Sequence, residues 1–189
     1  MRYQHFIYLL TGLFLGCSGP LSPFAELRSK DALQKGRQHL AEEEVDAALE
    51  EFQNAIDLNP KLALAHSGLG GVYRLKGDYA AAAKAFAEAV KLEPENFENA
   101  HALAQMYHKL VWYADAVRAY LHACELDPTN FEARFNLGVC YHQADELEAA
   151  IDAYTKAIDI DPSHPAPHIN LGAALHNRGQ YFEAIRAYN

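Results

Sequence analysis

The sequence lacks the residues and motifs on which several classes of protein depend. Its three cysteines include no Cys-x-x-Cys pair, which excludes a multi-disulfide scaffold and a structural zinc ribbon. Lysine and arginine total 16 against 25 aspartates and glutamates, and this net charge of −9 disfavours nucleic acid as a partner. No Gly-x-x-x-x-Gly-Lys, Gly-x-Ser-x-Gly or His-Glu-x-x-His motif is present. We therefore expect a non-enzymatic protein with no cofactor, metal or small-molecule substrate.

The first apolar segment has the features of an export signal. Phe6–Leu15 is a mostly apolar run of about ten residues, which is too short to span a bilayer. The Leu-Gly-Cys17 that follows resembles the lipobox of bacterial lipoproteins, and this resemblance implies cleavage before Cys17 and a lipid on its thiol. Residues 1–16 are thus predicted to be a signal peptide, and residues 17–28 a lipidated cysteine and a tether.

The same resemblance implies a destination for the exported chain. Ser18 follows the cysteine where an aspartate would favour the inner membrane, so we expect release to the periplasmic face of the outer membrane. Two or three acyl chains would supply an anchor that one chain cannot. The alternative is an ordinary cleaved signal peptide, which would leave a soluble periplasmic or secreted protein.

The rest of the chain repeats with a period of 34 residues. The repeated columns are Pro60, Pro94, Pro128 and Pro162; Phe52, Phe86, Tyr120, Tyr154 and Tyr188; and Gly36, Gly70, Ala104, Gly138 and Gly172. Within a unit the apolar residues recur at helical spacing, as in Ala48, Phe52, Ala55 and Ile56, so each unit is predicted to hold helices. Proline ends one helical hairpin before the next begins. Since a single hairpin cannot bury its own apolar face, the hairpins are expected to stack.

These columns resemble those of the tetratricopeptide repeat family over residues 29–189. The matching residues of one unit are Leu69, Gly70, Tyr73, Ala82, Phe86, Ala89 and Pro94. The resemblance implies an all-α, right-handed superhelical solenoid of stacked helix-turn-helix hairpins. Its units would be 29–62, 63–96, 97–130, 131–164 and an incomplete 165–189. Because no polar capping helix follows, we expect the sequence to be part of a longer chain.

In this family the first helix of each unit lines a concave groove, which mixes apolar and hydrogen-bonding groups here and suits a peptide. The candidate peptide-groove residues are Arg37, Arg74, His101, Gln105, His108, Asn136, His142, Asn170 and His176. His108, His142 and His176 recur every 34 residues, too far apart to share one metal. They are either a pH-sensitive ladder or ordinary polar residues duplicated with the repeat.

Three further sets of residues have two interpretations each. Asn136 and Asn170 stand in Asn-Leu-Gly phrases and form either a ladder for a peptide backbone, as in the repeat arm of O-linked N-acetylglucosamine transferases, or a structural pair. A carboxylate clamp is not predicted, since only Asn136 matches its columns. Cys124 and Cys140 are either buried thiols, which are the more common case in proteins, or a disulfide. His164 and His168 either belong to a solvated loop or bind a metal.

The function expected from this pattern is a non-catalytic, membrane-anchored scaffold that holds a peptide or partner subunit in its groove. The alternative is the amino-terminal arm of a larger enzyme, such as a glycosyltransferase, whose catalytic domain would lie beyond Asn189. The Asn-Leu-Gly phrases are the feature that suggests this alternative.

Overall fold

The computed structural model describes residues 22–188, all of whose regular secondary structure is helical. The described helices are α1 (Pro23–Ala41), α2 (Val45–Leu58), α3 (Ala63–Leu75), α4 (Tyr79–Leu92), α5 (Phe97–Lys109), α6 (Tyr113–Leu126), α7 (Phe131–Gln143), α8 (Leu147–Ile160), α9 (Pro165–Asn177) and α10 (Tyr181–Tyr188). Each helix packs against the next one in the sequence, so five hairpins stack in chain order. The predicted all-α solenoid is confirmed.

The first helix differs from the predicted arrangement at its start. Residues 23–28, assigned to a tether by the sequence analysis, are the first turns of α1. Ser22 itself has an extended backbone conformation, and its Oγ accepts a hydrogen bond from the Ala25 N–H at 3.2 Å. Pro23 fits the first helical position, where its missing N–H costs nothing. The predicted signal peptide, Cys17 and residues 18–21 of the predicted tether lie outside the described residues.

Four aromatic side chains fill the spaces between the helices. Phe52, Phe86, Tyr120 and Tyr154 are buried. The ring of Phe52 lies so close to α1 and α3 that a Cβ atom added at Gly36 would be 2.9 Å from it, and one at Gly68 2.5 Å. Glycine is needed at both positions because the backbone itself is the packing surface. Small residues at these two positions therefore allow α1 and α3, the first helices of their hairpins, to pack closely against the Phe52 ring.

Candidate functional site

A cavity of about 390 Å³ lies at the centre of the described solenoid, where the second, third and fourth hairpins meet. It is lined by Arg74, Tyr79, Gln105, Met106, His108, Lys109, Tyr120, Glu132 and Asn136. Most of these residues come from α3, α5 and α7, the first helices of their hairpins. Four of the nine candidate groove residues are brought together in this cavity: Arg74, Gln105, His108 and Asn136.

The charges of the cavity wall favour an anionic ligand. Arg74 and Lys109 make no ion pair with any residue between 22 and 188. Glu132 supplies the one carboxylate of the lining, and its Oε1 accepts a hydrogen bond from Gln105 Nε2 at 3.0 Å. Burial, and secondly Lys109, lower the pKa of His108, so its imidazole is neutral at neutral pH. The two free cations thus leave a net positive wall in an acidic protein.

His101 is not part of the cavity lining, but it contacts two residues that are, Tyr120 and Glu132. Its ring lies between those of Phe97 and Tyr120, with centroids 5.3 and 5.8 Å away. The Nε2 atom is buried and has no hydrogen-bond partner, and Glu132 Oε1 lies 4.0 Å from it. Burial lowers the pKa of His101, and the charge of Glu132 opposes that effect. His101 is therefore mainly a neutral packing residue with one buried polar atom that makes no hydrogen bond.

The predicted histidine column does not form one uniform ladder. His108 lines the cavity, whereas His142 Nε2 lies 2.9 Å from Asn177 Nδ2 and accepts its hydrogen bond. His176 is exposed and packs on the ring of Tyr181, with centroids 5.2 Å apart. The three imidazoles recur in sequence, but each has different neighbours. Arg37, on α1, is exposed and outside the cavity lining.

The two asparagines of the Asn-Leu-Gly phrases each have a structural partner. The side-chain amide of Asn136 interacts with the hydroxyl of Tyr120, and that of Asn170 interacts with the hydroxyl of Tyr154. Burial raises the pKa of both phenols, and the asparagine bonds oppose part of that rise. Where the buried ring is phenylalanine, the residue 16 positions later is not asparagine: Gly68 follows Phe52, and Ala102 follows Phe86. Each of the repeated asparagines thus has a tyrosine partner within the protein.

Sequence reasoning missed the cavity residues that come from the second helices of hairpins. Tyr79 begins α4, and Tyr120 lies in the middle of α6. The signal for Tyr120 was its place in the aromatic column, which indicated core packing and gave no sign that its edge also reaches the groove. Glu132 lies one turn before Asn136 on α7, a spacing that could have identified it as a neighbour.

The other cysteine and histidine candidates have structural roles. Cys124 and Cys140 are free and buried, and burial raises the pKa of the Cys140 thiol to about 12. His164 Nδ1 accepts the Ala166 N–H at 3.3 Å and caps α9. His168 Nε2 lies 3.1 Å from the carbonyl oxygen of Pro162, to which it donates. These contacts explain both histidines without a shared metal.

One group of three possible metal ligands occurs among residues 22–188, at the turn between α1 and α2. It consists of His39, Glu42 and Glu44. His39 Nδ1 already contacts Glu44 Oε2 at 2.6 Å, and Gln38 Nε2 donates to Glu42 Oε1 at 2.9 Å. Hydrogen bonds within the protein therefore account for this group, in which Glu42 and Glu44 are exposed and His39 is half-buried.

None of the helices between residues 22 and 188 combines the length and hydrophobicity needed to cross a membrane.

Comparison with protein-family models identifies repeats along most of the chain. Models described as tetratricopeptide repeat match residues 33–97, 131–164 and 153–186, and one described as TPR repeat matches residues 113–145. Together these matches extend over residues 33–97 and 113–186. A comparison with curated proteins finds no match.

Several solved structures share the fold. A crystal structure of MamA protein superposes with a TM-score of 0.81 at 22% identity, covering 85% of this chain and 88% of that one. MamA from Desulfovibrio magneticus RS-1, residues 41 to the end, gives 0.76 at 21% identity, with 89% and 93% covered. YrrB, described as a TPR protein with an unusual peptide-binding site, gives 0.78 at 23% identity, with 89% and 90% covered.

Proposed function

Because the chain belongs to the tetratricopeptide repeat family, we propose that it is a non-catalytic scaffold that binds a partner peptide in the cavity of the second to fourth hairpins. The observation that carries this proposal is the lining of that cavity. It combines the free cations of Arg74 and Lys109 with the side-chain amide of Gln105. Peptide binding by YrrB, a structure of the same fold, supports the proposal.

The chemistry of the cavity matches what an extended peptide presents. Side-chain amides can both donate and accept, so Gln105 offers the backbone of a ligand hydrogen bonds that do not depend on its sequence. The rings of Tyr79 and Tyr120 add apolar surface, and the cations of Arg74 and Lys109 add selection for charge. The cavity therefore has a general part for the peptide backbone and a selective part for acidic side chains.

Reversing both free cations tests this site. We expect the Arg74→Glu, Lys109→Glu double variant to bind acidic 12-residue synthetic peptides about tenfold more weakly, since like charges would then face each other (about 1.4 kcal/mol). Fluorescence anisotropy of labelled peptides measures the dissociation constants, and circular dichroism checks that the helices are intact.

The matched control is the Lys61→Glu, Lys84→Glu double variant. It changes the net charge by the same amount at two exposed lysines outside the cavity lining. Equal weakening by both variants would mean that net charge alone governs binding, and it would contradict the proposed site. Absence of saturable binding by any acidic peptide would contradict it as well.

We also propose that the chain is exported and anchored by a lipid on Cys17 to the periplasmic face of the outer membrane. The support is the sequence of residues 1–17, with its apolar run and lipobox-like ending. In a bacterial host we expect Cys17→Ala to move the protein out of the membrane fraction, and Ser18→Ala to leave it there. Equal amounts of both variants in washed membranes would rule out this anchor.

A further inference from the structure

The turns within the five hairpins share one backbone feature and differ sharply in side chain. Each contains a residue with positive φ: Glu43, Gly77, Val111, Asp145 and Gly179. Glycine adopts this conformation freely, whereas a β-branched residue at φ +63°, as at Val111, is a genuine outlier. Such strain persists where the surroundings or a function require the side chain. The third hairpin therefore presents a valine at a position that favours glycine.

The residue after Val111 leaves the next helix without a side-chain cap, as Glu44 and Glu146 do in the first and fourth hairpins. In the second hairpin Asp78 caps α4, its Oδ1 accepting the Ala81 N–H at 2.9 Å. Trp112 stands at the same position before α6 and gives no side-chain cap. A capping aspartate here would stabilise the helix. Instead the turn carries the sole tryptophan of the chain, 51% exposed, with its ring centroid 6.0 Å from that of Tyr107.

Exposed apolar side chains thus stand next in sequence to the free cations of the cavity. Val111 is 62% exposed and follows Lys109 by two residues. Leu75 is 64% exposed and follows Arg74 directly. Both cations line the cavity and both lie at the carboxyl ends of first helices, α3 and α5. We call Leu75, Val111 and Trp112 the apolar edge.

We infer that the apolar edge is a second recognition element, which binds a bulky apolar side chain of an acidic partner peptide held in the cavity. This inference rests on the proposed function and adds the chemistry of the partner. The free positive charges select acidic residues, and the exposed side chains that follow them in sequence gain by burying apolar surface against an apolar residue of the ligand. Exposed tryptophan is a common anchor of protein interfaces. The strained, uncapped turn is explained because its stable alternative, Gly-Asp, would remove the apolar contact.

The test replaces this turn with the one that the chain itself uses in the second hairpin. The Val111→Gly, Trp112→Asp variant copies Gly77-Asp78, so we expect its melting temperature to rise by about 3–6 °C. The probes are three labelled 12-residue peptides: one acidic with a central Phe, one acidic with Gly in place of that Phe, and one basic with the Phe. The wild type should bind the first at least tenfold more tightly than either other peptide.

The variant should lose the preference for Phe while keeping the preference for acidic residues. Leu75→Gln, a substitution on an exposed helix surface, provides a second variant and should reduce the Phe preference in the same direction. If both variants keep the full preference, the edge is not a recognition element. If the cation-reversal variant weakens binding and these two variants do not, the proposed groove stands and this inference fails.

Trp112 also reports directly on its own surroundings. Its emission should shift to shorter wavelength when the acidic Phe peptide binds, and it should stay unchanged with the acidic Gly peptide. Vesicles of three parts phosphatidylcholine to one part phosphatidylglycerol test the other class of apolar partner. A blue shift with these vesicles and none with the peptide would assign the edge to a membrane surface and overturn the inference.

Discussion

Replacing Phe52 with alanine is expected to lower the free energy of unfolding by about 3–5 kcal/mol. The Phe52 ring is 1% exposed and lies between Gly36 of α1 and Gly68 of α3. Neither glycine has a side chain that could move into the space left by the ring. The cost therefore combines the lost burial of the ring with a cavity that can collapse only by moving whole helices.

The loss should fall on one contact between hairpins, because each repeat of a solenoid contacts only its neighbours. Phe52 joins the first hairpin to the first helix of the second, so we expect the amino-terminal hairpin to unfold first. Urea titration followed by circular dichroism gives the total free energy, and hydrogen exchange locates the part that opens.

The matched control removes the same side chain from a solvent-exposed place. Phe182 on α10 is 85% exposed, so Phe182→Ala should change the free energy of unfolding by no more than about 0.5 kcal/mol. Similar losses for the two variants would show that burial against the two glycines is not what makes Phe52 stabilising.

The period of the sequence was enough to predict the fold, because the same columns serve the same packing in every unit. Gly36, Phe52 and their equivalents identify where two helices touch, whichever hairpin they belong to. The start of α1 at Pro23 could not be predicted from the period, since residues before 29 belong to no repeated column. It depends instead on a local signal, the Ser22-Pro23 start, which the period does not contain.

The site was less predictable, because it depends on residues that are not repeated. The column of His108, His142 and His176 suggested one property, yet the neighbours Lys109, Asn177 and Tyr181 are different in kind. A repeated residue can thus have a different environment in each unit. A repeated column alone therefore does not establish a function.

Pairs of columns are more informative than single columns, as the asparagines show. The amide of Asn136 reaches back to the hydroxyl of Tyr120 in the hairpin before it, 16 residues earlier in the sequence. Asn170 and Tyr154 repeat this pair, whereas Phe52 and Phe86, which have no hydroxyl, are followed at the same spacing by small residues. The sequence therefore contained the pairing, although the asparagine column taken alone suggested a ligand ladder.

Removing the amide from one such pair is expected to destabilise the chain. Asn136→Ala leaves the Tyr120 hydroxyl without its partner, on a side chain that is 1% exposed, and should lower the free energy of unfolding by about 1–3 kcal/mol. Tyr120→Phe, Asn136→Ala should cost less than Asn136→Ala, because the double variant buries no unpaired hydroxyl. Urea titration of the wild type, both single variants and the double variant closes the thermodynamic cycle.

The double variant places phenylalanine and alanine at positions 120 and 136. The chain already has this combination one hairpin earlier, at Phe86 and Ala102. The cycle should give a coupling energy of about 0.5–3 kcal/mol between Tyr120 and Asn136, as found for residues in one hydrogen-bond network. Purely additive losses would show that the two side chains act independently. In that case Asn136 would be free to serve a bound peptide, and the structural explanation of the Asn-Leu-Gly phrase would be wrong.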